Sequence, residues 1–486
     1  MLDVEHGVNV KGGTVLLHNA LIGDDARKTD RICWNRSIGV VADMFCRKAI
    51  QLICFVGLLV WSDLALAQAR GSVSLIRDAE IEATLRQISN PIFNAAGITP
   101  DSVKLYIVRD KRLNAFVAGG QNLFLNTGLL QRTEHPGQLA GVIAHEVGHI
   151  AGGHLSRVGV AQSRATAEVI LATVLGAAAA VAGNPALGTA IITGGQTYAQ
   201  GEYLSFSRSQ EQQADQAAIS YLSRLDLSSR GLAEFFYILD EQSLLTTTRD
   251  NPYLRSHPLT RDRIRSVEAK VERQRDDLPD FPEAWDQGHQ RMVVKLKAFL
   301  DDPRRTLNTF QGDALTDRYA RAIANYRLPD LETAVVEIDG LIEDYPEDPY
   351  FHELKGQMLF EHGRIDDAIE PYREANRLEP GALLRIGLAR ALIESGDPQA
   401  GLEAIDHLEA AVGREPTNAG AWRLLGIAQG RAGEEGEASL SLAEWALLTG
   451  KHEDAKLHAR RAEGRIGPND PGWYQLQDIL RVIEES

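Results

Sequence analysis

The stretch "VIAHEVGHIAGGH" sets His145, Glu146 and His149 inside an apolar run. On an α-helix, residues four apart lie about 40° apart around the axis, so His145 and His149 project from one face. Two imidazoles converging there can each give a nitrogen to a single Zn2+ at about 2.0–2.1 Å. Glu146 stands about 100° further round, where it can address a water molecule without binding the ion. His154 leaves that face and is expected at the surface or behind the ligands. The bland alternative is a buried helix with satisfied histidines. It is disfavoured because two imidazoles and a carboxylate are costly to bury without a metal or partners.

A hydrolytic zinc site needs a third protein ligand and a fourth position open to water. Downstream, "FSRSQEQQADQAA" offers Glu211 and Asp215 at i, i+4 on one helical face. Glu211 can complete the ligand set. Asp215, one turn on, can hydrogen-bond the outer nitrogen of a ligand histidine and fix its tautomer. Further along, "YLRSHPLTRDR" supplies His257 in a turn and then Arg263. Taken alone, these two read as a loop histidine and a solvated arginine.

Elements able to position such residues are legible around them. Ile81, Leu85, Ile88 and Ile92 recur at helical spacing. "VKLYIVRD" and "QNLFLNTGLL" alternate as strands, separated by "NAFVAGG" with the turn-forming pair Gly119–Gly120. The motif helix is expected to begin near Gly137, after Pro136. A second helix is expected around "SRSQEQQADQAAISYLSRL", giving an α+β domain over 70–270. Between the two helices, Val169 to Gly201 carries no charged residue and is interrupted at Asn184–Pro185. We read 169–201 as an apolar helical hairpin or lid. Contact with a membrane or an unfolded client is an alternative, and a true span a third.

The carboxy-terminal part is different in kind. Asp313 to Ser486 holds 34 acidic and 18 basic residues, whereas 1–312 is neutral. The whole net charge of −16 therefore sits in one half, a poor surface for nucleic acid or anionic lipid. Pro346, Pro380 and Pro416 recur at near-constant spacing, and small residues recur between them, as in "GRIDDAIEPYREANRLEP" and "GKHEDAKLHARRAEGRIGP". Such periodicity resembles the tetratricopeptide family, whose paired helices stack into a scaffold for holding partners. An all-α repeat solenoid is expected over 313–486, joined by a charged helical linker over 271–312.

At the other end, Arg47 and Lys48 precede an apolar core from Ala49 to Trp61 and small residues at Ala65, Ala67 and Ala69. This has the form of a signal peptide cleaved after Ala67 or Ala69, with translation starting at Met44 and 1–69 absent from the mature chain. The three cysteines, Cys33, Cys46 and Cys54, all lie there. A mature chain without disulfides fits a bacterial periplasm as well as any other compartment.

In order along the chain, H-E-x-x-H, then E-x-x-x-D, then H-P-x-x-x-x-R resembles the HtpX and prenyl-protease family of gluzincins. The upstream "NAFVAGGQNLFLNTGLL" resembles the strand segment before the motif in that family. The resemblance implies a mostly helical, α+β zincin-type metallopeptidase domain with one Zn2+ on His145, His149 and Glu211 and Glu146 as general base. It implies His257 as a fourth ligand in a resting state, Arg263 as an oxyanion stabiliser, and Asn114, Phe116, Gly119 and Gly120 as a strand that receives substrate. It also implies an endopeptidase of misfolded or stalled clients in outer-membrane protein quality control, with repeats recruiting the assembly machinery and peripheral membrane contact. A chaperone or assembly scaffold in which proteolysis is secondary is the rival reading.

Overall fold

A computed structural model of the chain describes residues 74–157, 169, 172–173, 185–245, 252–274, 278–279 and 281–485. The expected signal segment and most of the first half of the apolar stretch lie outside them. The described part opens on β1 (Leu75–Ile76) and α1 (Ala79–Ala95). Asp78 caps α1 by accepting from the Ile81 amide at 2.9 Å, satisfying a donor that the first helical turn leaves over. Its periodic apolar face, Ile81, Leu85, Ile88 and Ile92, is fully buried.

Strands β2 (Lys104–Val108), β3 (Ala115–Ala118) and β4 (Asn122–Asn126) join β1 in a sheet of order β1-β2-β4-β3. β2 and β4 run parallel, β3 and β4 antiparallel. The segment read as a separator therefore forms a strand of its own, and that strand lies at the sheet edge. Gly119 and Gly120 have φ of 56° and 96°, left-handed values that make the β3–β4 turn. They bend the chain beyond the edge strand rather than extending it, which corrects their expected place in the strand that receives substrate. Residues 127–130, expected to continue a strand, are helical.

Two helices carry the motif residues. α2 (Pro136–Ala151) begins with proline at its first turn and is buried from Pro136 to His149. α3 (Pro185–Arg224) is one uninterrupted helix of 40 residues. The second half of the apolar segment and the Glu211–Asp215 turn thus share a single rod, while most of the first arm of the expected hairpin lies outside the described residues. α2 also packs against α4 (Arg230–Leu245), and α5 (Arg261–Val271) closes the domain. No helix among the described residues is long and apolar enough to cross a membrane.

α6 (Glu283–Leu300) falls in the stretch expected as a linker. Its Trp285, Met292 and Leu296 join the core beneath the sheet, while Val294 and Ala298 join the core of the first repeats. Residue Lys295, 1% exposed, lies 2.9 Å from Asp78 and 3.1 Å from Glu80 at the start of α1. From the first repeat helix, Tyr319 donates to Glu80 at 2.7 Å. The repeats follow as antiparallel pairs Leu315–Arg327 with Leu331–Asp344, Pro349–Glu361 with Ile365–Leu378, Ala382–Ser395 with Pro398–Arg414, and Ala419–Ala432 with Glu435–Leu448. Two further helices, His452–Glu463 and Trp473–Glu485, complete the described solenoid. Pro346, Pro380 and Pro416 each lie just past the second helix of a pair, as their spacing predicts.

Candidate metal centre

Glycine within the motif decides how closely the two key helices approach. A Cβ built on Gly148 would lie 2.9 Å from the backbone Cα and O of Ala214 on α3. Only hydrogen fits there, so the α3 backbone comes close enough to bring Glu211 beneath the imidazoles. His145 and His149 do face one way, with their Nε2 atoms 3.1 Å apart. Glu211 reaches both, at 3.4 Å from each Nε2. His257 arrives at the end of the short helix Pro252–Ser256. Its ring packs on Tyr253 with centroids 4.7 Å apart, and its Nδ1 lies 3.3 Å from both His145 Nε2 and Glu211 Oε2.

The side chains His145, His149, Glu211 and His257 thus turn one donor atom each toward a common point, all within 4.8 Å of one another and all buried. A tetrahedron with arms of about 2.0–2.1 Å has edges of about 3.3–3.4 Å, so the separations of 3.1 to 3.4 Å between these neighbouring donors suit a small ion with nitrogen and oxygen ligands. Charge points the same way. Glu146, Glu211 and Asp215 are three buried carboxylates against the one guanidinium of Arg263. Both oxygens of Glu146 lack a hydrogen-bond partner, and burial raises its pKa. Positive charge is stabilised among them, whether carried by a proton on His145 or by a bound cation.

Behind the donors lies a supporting layer. His145 Nδ1 is 2.9 Å from Asp215 Oδ1, as the i, i+4 spacing from Glu211 predicts. Burial disfavours the charged imidazole, but Asp215 and Glu211 outweigh it and raise the His145 pKa to about 9. His149 is pushed the other way, first by burial and then by the neighbouring imidazoles. The carboxyl of Glu211 stays well below its usual range because the facing histidines overcome the cost of its burial.

Arg263 corrects an expectation. It is 2% exposed, and its Nε and Nη2 each donate to Asp215 at 2.8 Å. Nη1 donates to the Pro258 carbonyl at 2.9 Å and pairs with Glu211 at 2.9 Å. With those donors committed inward, the side chain holds the carboxylates of Asp215 and Glu211 and is not presented to an oxyanion. His154 is buried, with Nδ1 2.9 Å from His149 Nδ1, so it stands behind His149. Of the two places expected for it, at the surface or behind the histidine pair, the structure shows the second. Gly148 gave no such signal, since its need appears only when α3 is in place.

Comparison with known proteins agrees with this geometry. Residues 77–271 match the model of peptidase family M48, and residues 319–382 match a tetratricopeptide repeat. The beta-barrel assembly-enhancing protease of Escherichia coli (strain K12) is 23% identical over 433 residues, covering 87% of this chain and 88% of its own. That of Yersinia pestis is 23% identical over 440 residues, covering 88% and 89%. Metalloprotease LoiP of Escherichia coli (strain K12) is 25% identical over 197 residues, covering 40% and 72%. This chain carries a metallopeptidase domain of family M48 followed by tetratricopeptide repeats.

Proposed function

We propose that this chain is a zinc-dependent endopeptidase of the bacterial periplasm that hydrolyses misfolded or stalled outer-membrane protein clients recruited through its repeats. The observation that carries the reading is the closed set of four donors beside a buried carboxylate that accepts no hydrogen bond. His145, His149 and Glu211 are its three permanent ligands. A bound zinc ion supplies Lewis-acid polarisation of a peptide carbonyl and a water made acidic near neutral pH. The names of the relatives support a setting in outer-membrane assembly.

Each other step belongs to the chain's own residues. Glu146, with its pKa raised by burial, takes a proton from the attacking water and returns it to the leaving amide nitrogen. Asp215, clamped by Arg263, holds the His145 ring with its Nε2 inward. His257 faces the ligand set through Nδ1 and the base through Nε2, 3.4 Å from Glu146 Oε1. It fills the place a water needs and engages the base as well, so it sets a resting state that must open.

That closed arrangement also favours a second reading, an assembly scaffold that cleaves only when opened. Metal analysis of the purified protein with a Glu146→Gln variant tests both. The hydrolase reading expects about one zinc per chain in each protein and a fall in peptide cleavage of about 10²–10⁴-fold in the variant. Equal function of both proteins in cells, without cleavage, supports the scaffold and ends the hydrolase reading.

A further inference from the structure

Three aromatic rings cross one face of the sheet. Tyr106 of β2, Phe124 of β4 and Phe116 of β3 are direct cross-strand partners. Their centroids are 4.9 Å apart at each step, with planes 15° and 8° from parallel. All three are half-buried. The step matches the ~4.7–4.9 Å between neighbouring strands, so the column is a consequence of the pleat. Any strand added beyond β3 would bring its facing side chain to the same distance from Phe116.

β3 ends the strand order and packs against α2, the helix of His145, Glu146 and His149. Its Ala115 and Val117 point into the core, which leaves Phe116 and Ala118 on the face a new strand would share. Ala118 offers one methyl group. The edge therefore presents a single ring to an incoming chain, and side chains alternate by strand geometry, so one substrate position meets it.

We infer that Phe116 is a specificity-determining residue, and that substrate segments are selected for an aromatic side chain which extends the Tyr106–Phe124–Phe116 column by a fourth ring. This rests on the reading of the chain as an endopeptidase that takes substrate along β3. The substrate class is an extended, β-forming segment with an aromatic residue at one fixed distance from the scissile bond. A stacked pair of this kind is worth about 2- to 10-fold in affinity beyond the burial of its area.

Two measurements on the full chain test it. A peptide set carrying Phe, Leu or Ser at each position in turn is assayed for kcat/KM with the wild type, and for binding without cleavage with Glu146→Gln. One position is expected to favour Phe over Leu and Leu over Ser in both. On that background Phe116→Ala brings the Phe-to-Ser ratio to about 1, Phe116→Leu abolishes the preference for Phe over Leu, and Phe116→Tyr retains it. The inference is overturned if no position shows the preference, or if it survives Phe116→Ala or Phe116→Leu. Aromatic preference in binding without any wild-type cleavage would end the hydrolase reading and the claim about the scissile bond with it, while selection of aromatic segments by Phe116 would stand.

Discussion

Arg263 grips Asp215 through two parallel hydrogen bonds of 2.8 Å, both inside the protein. Asp215 in turn lies 2.9 Å from the outer nitrogen of His145, so a guanidinium, a carboxylate and an imidazole form one line ending at the metal centre. The paired charge keeps the Asp215 carboxyl ionised against its burial. Bidentate pairing also fixes where the carboxylate points, which a single contact would not.

Asp215→Asn breaks that line while preserving shape. Metal affinity is expected to fall about 10- to 100-fold, read by chelator competition. Arg263 keeps Glu211 but loses its bidentate carboxylate, so a part of the about 3–5 kcal/mol of a broken buried pair is also expected, seen as a lower melting temperature. Unchanged metal affinity would show that Asp215 does not orient His145.

His257→Ala removes the fourth donor and frees the side of Glu146 that it faces. A resting enzyme that opens about 0.1–10% of the time would then gain about tenfold or more in peptide cleavage. Metal content is expected to hold, since three ligands remain. No gain would show that His257 does not limit the resting rate.

His289, on the helix shared by both cores, gives a pH signature remote from the metal centre. Its Nε2 lies 2.8 Å from Thr133 Oγ1. Burial, followed by the His135 and Lys297 charges, lowers its pKa from 6.5 to about 4. The unfolded chain binds this proton first, so folded stability is whole above pH 6.5 and declines as the pH falls towards 4. Between pH 7.5 and 4.5 the loss from this group is about 2–3 kcal/mol. Urea midpoints of His289→Gln should decline less over that range, and parallel curves for the two proteins would refute the assignment.

Lys295 joins the two domains through the buried carboxylates of Asp78 and Glu80. Lys295→Met leaves both without their ammonium and should cost about 3–5 kcal/mol. Adding Asp78→Asn should recover part of that loss. Calorimetry distinguishes this outcome from a surface pair, for which the cost would be below about 1 kcal/mol.

The chemistry was legible where it depended on one helix. H-E-x-x-H and E-x-x-x-D each carry their own geometry, so His145, His149, Glu211 and Asp215 could be placed from spacing. Arg263 was misread because its use depends on carboxylates arriving from α3, and no local pattern reveals whether a guanidinium faces a substrate or a partner. The break between the apolar stretch and Glu202 looks like a boundary in composition, yet helical hydrogen bonds are indifferent to polarity and α3 runs through it. The expected linker failed to stand apart because its charged residues hide a second stripe of apolar ones, one for each core.

Since α3 joins the apolar arm at Pro185 to the carboxylate of Glu211 without a break, the two are geared together. Inserting or deleting one residue between them would swing the arm by about 100° relative to the carboxylate. Insertions between them keep that bearing only in steps of about seven or eleven residues, which return the arm to nearly the same side.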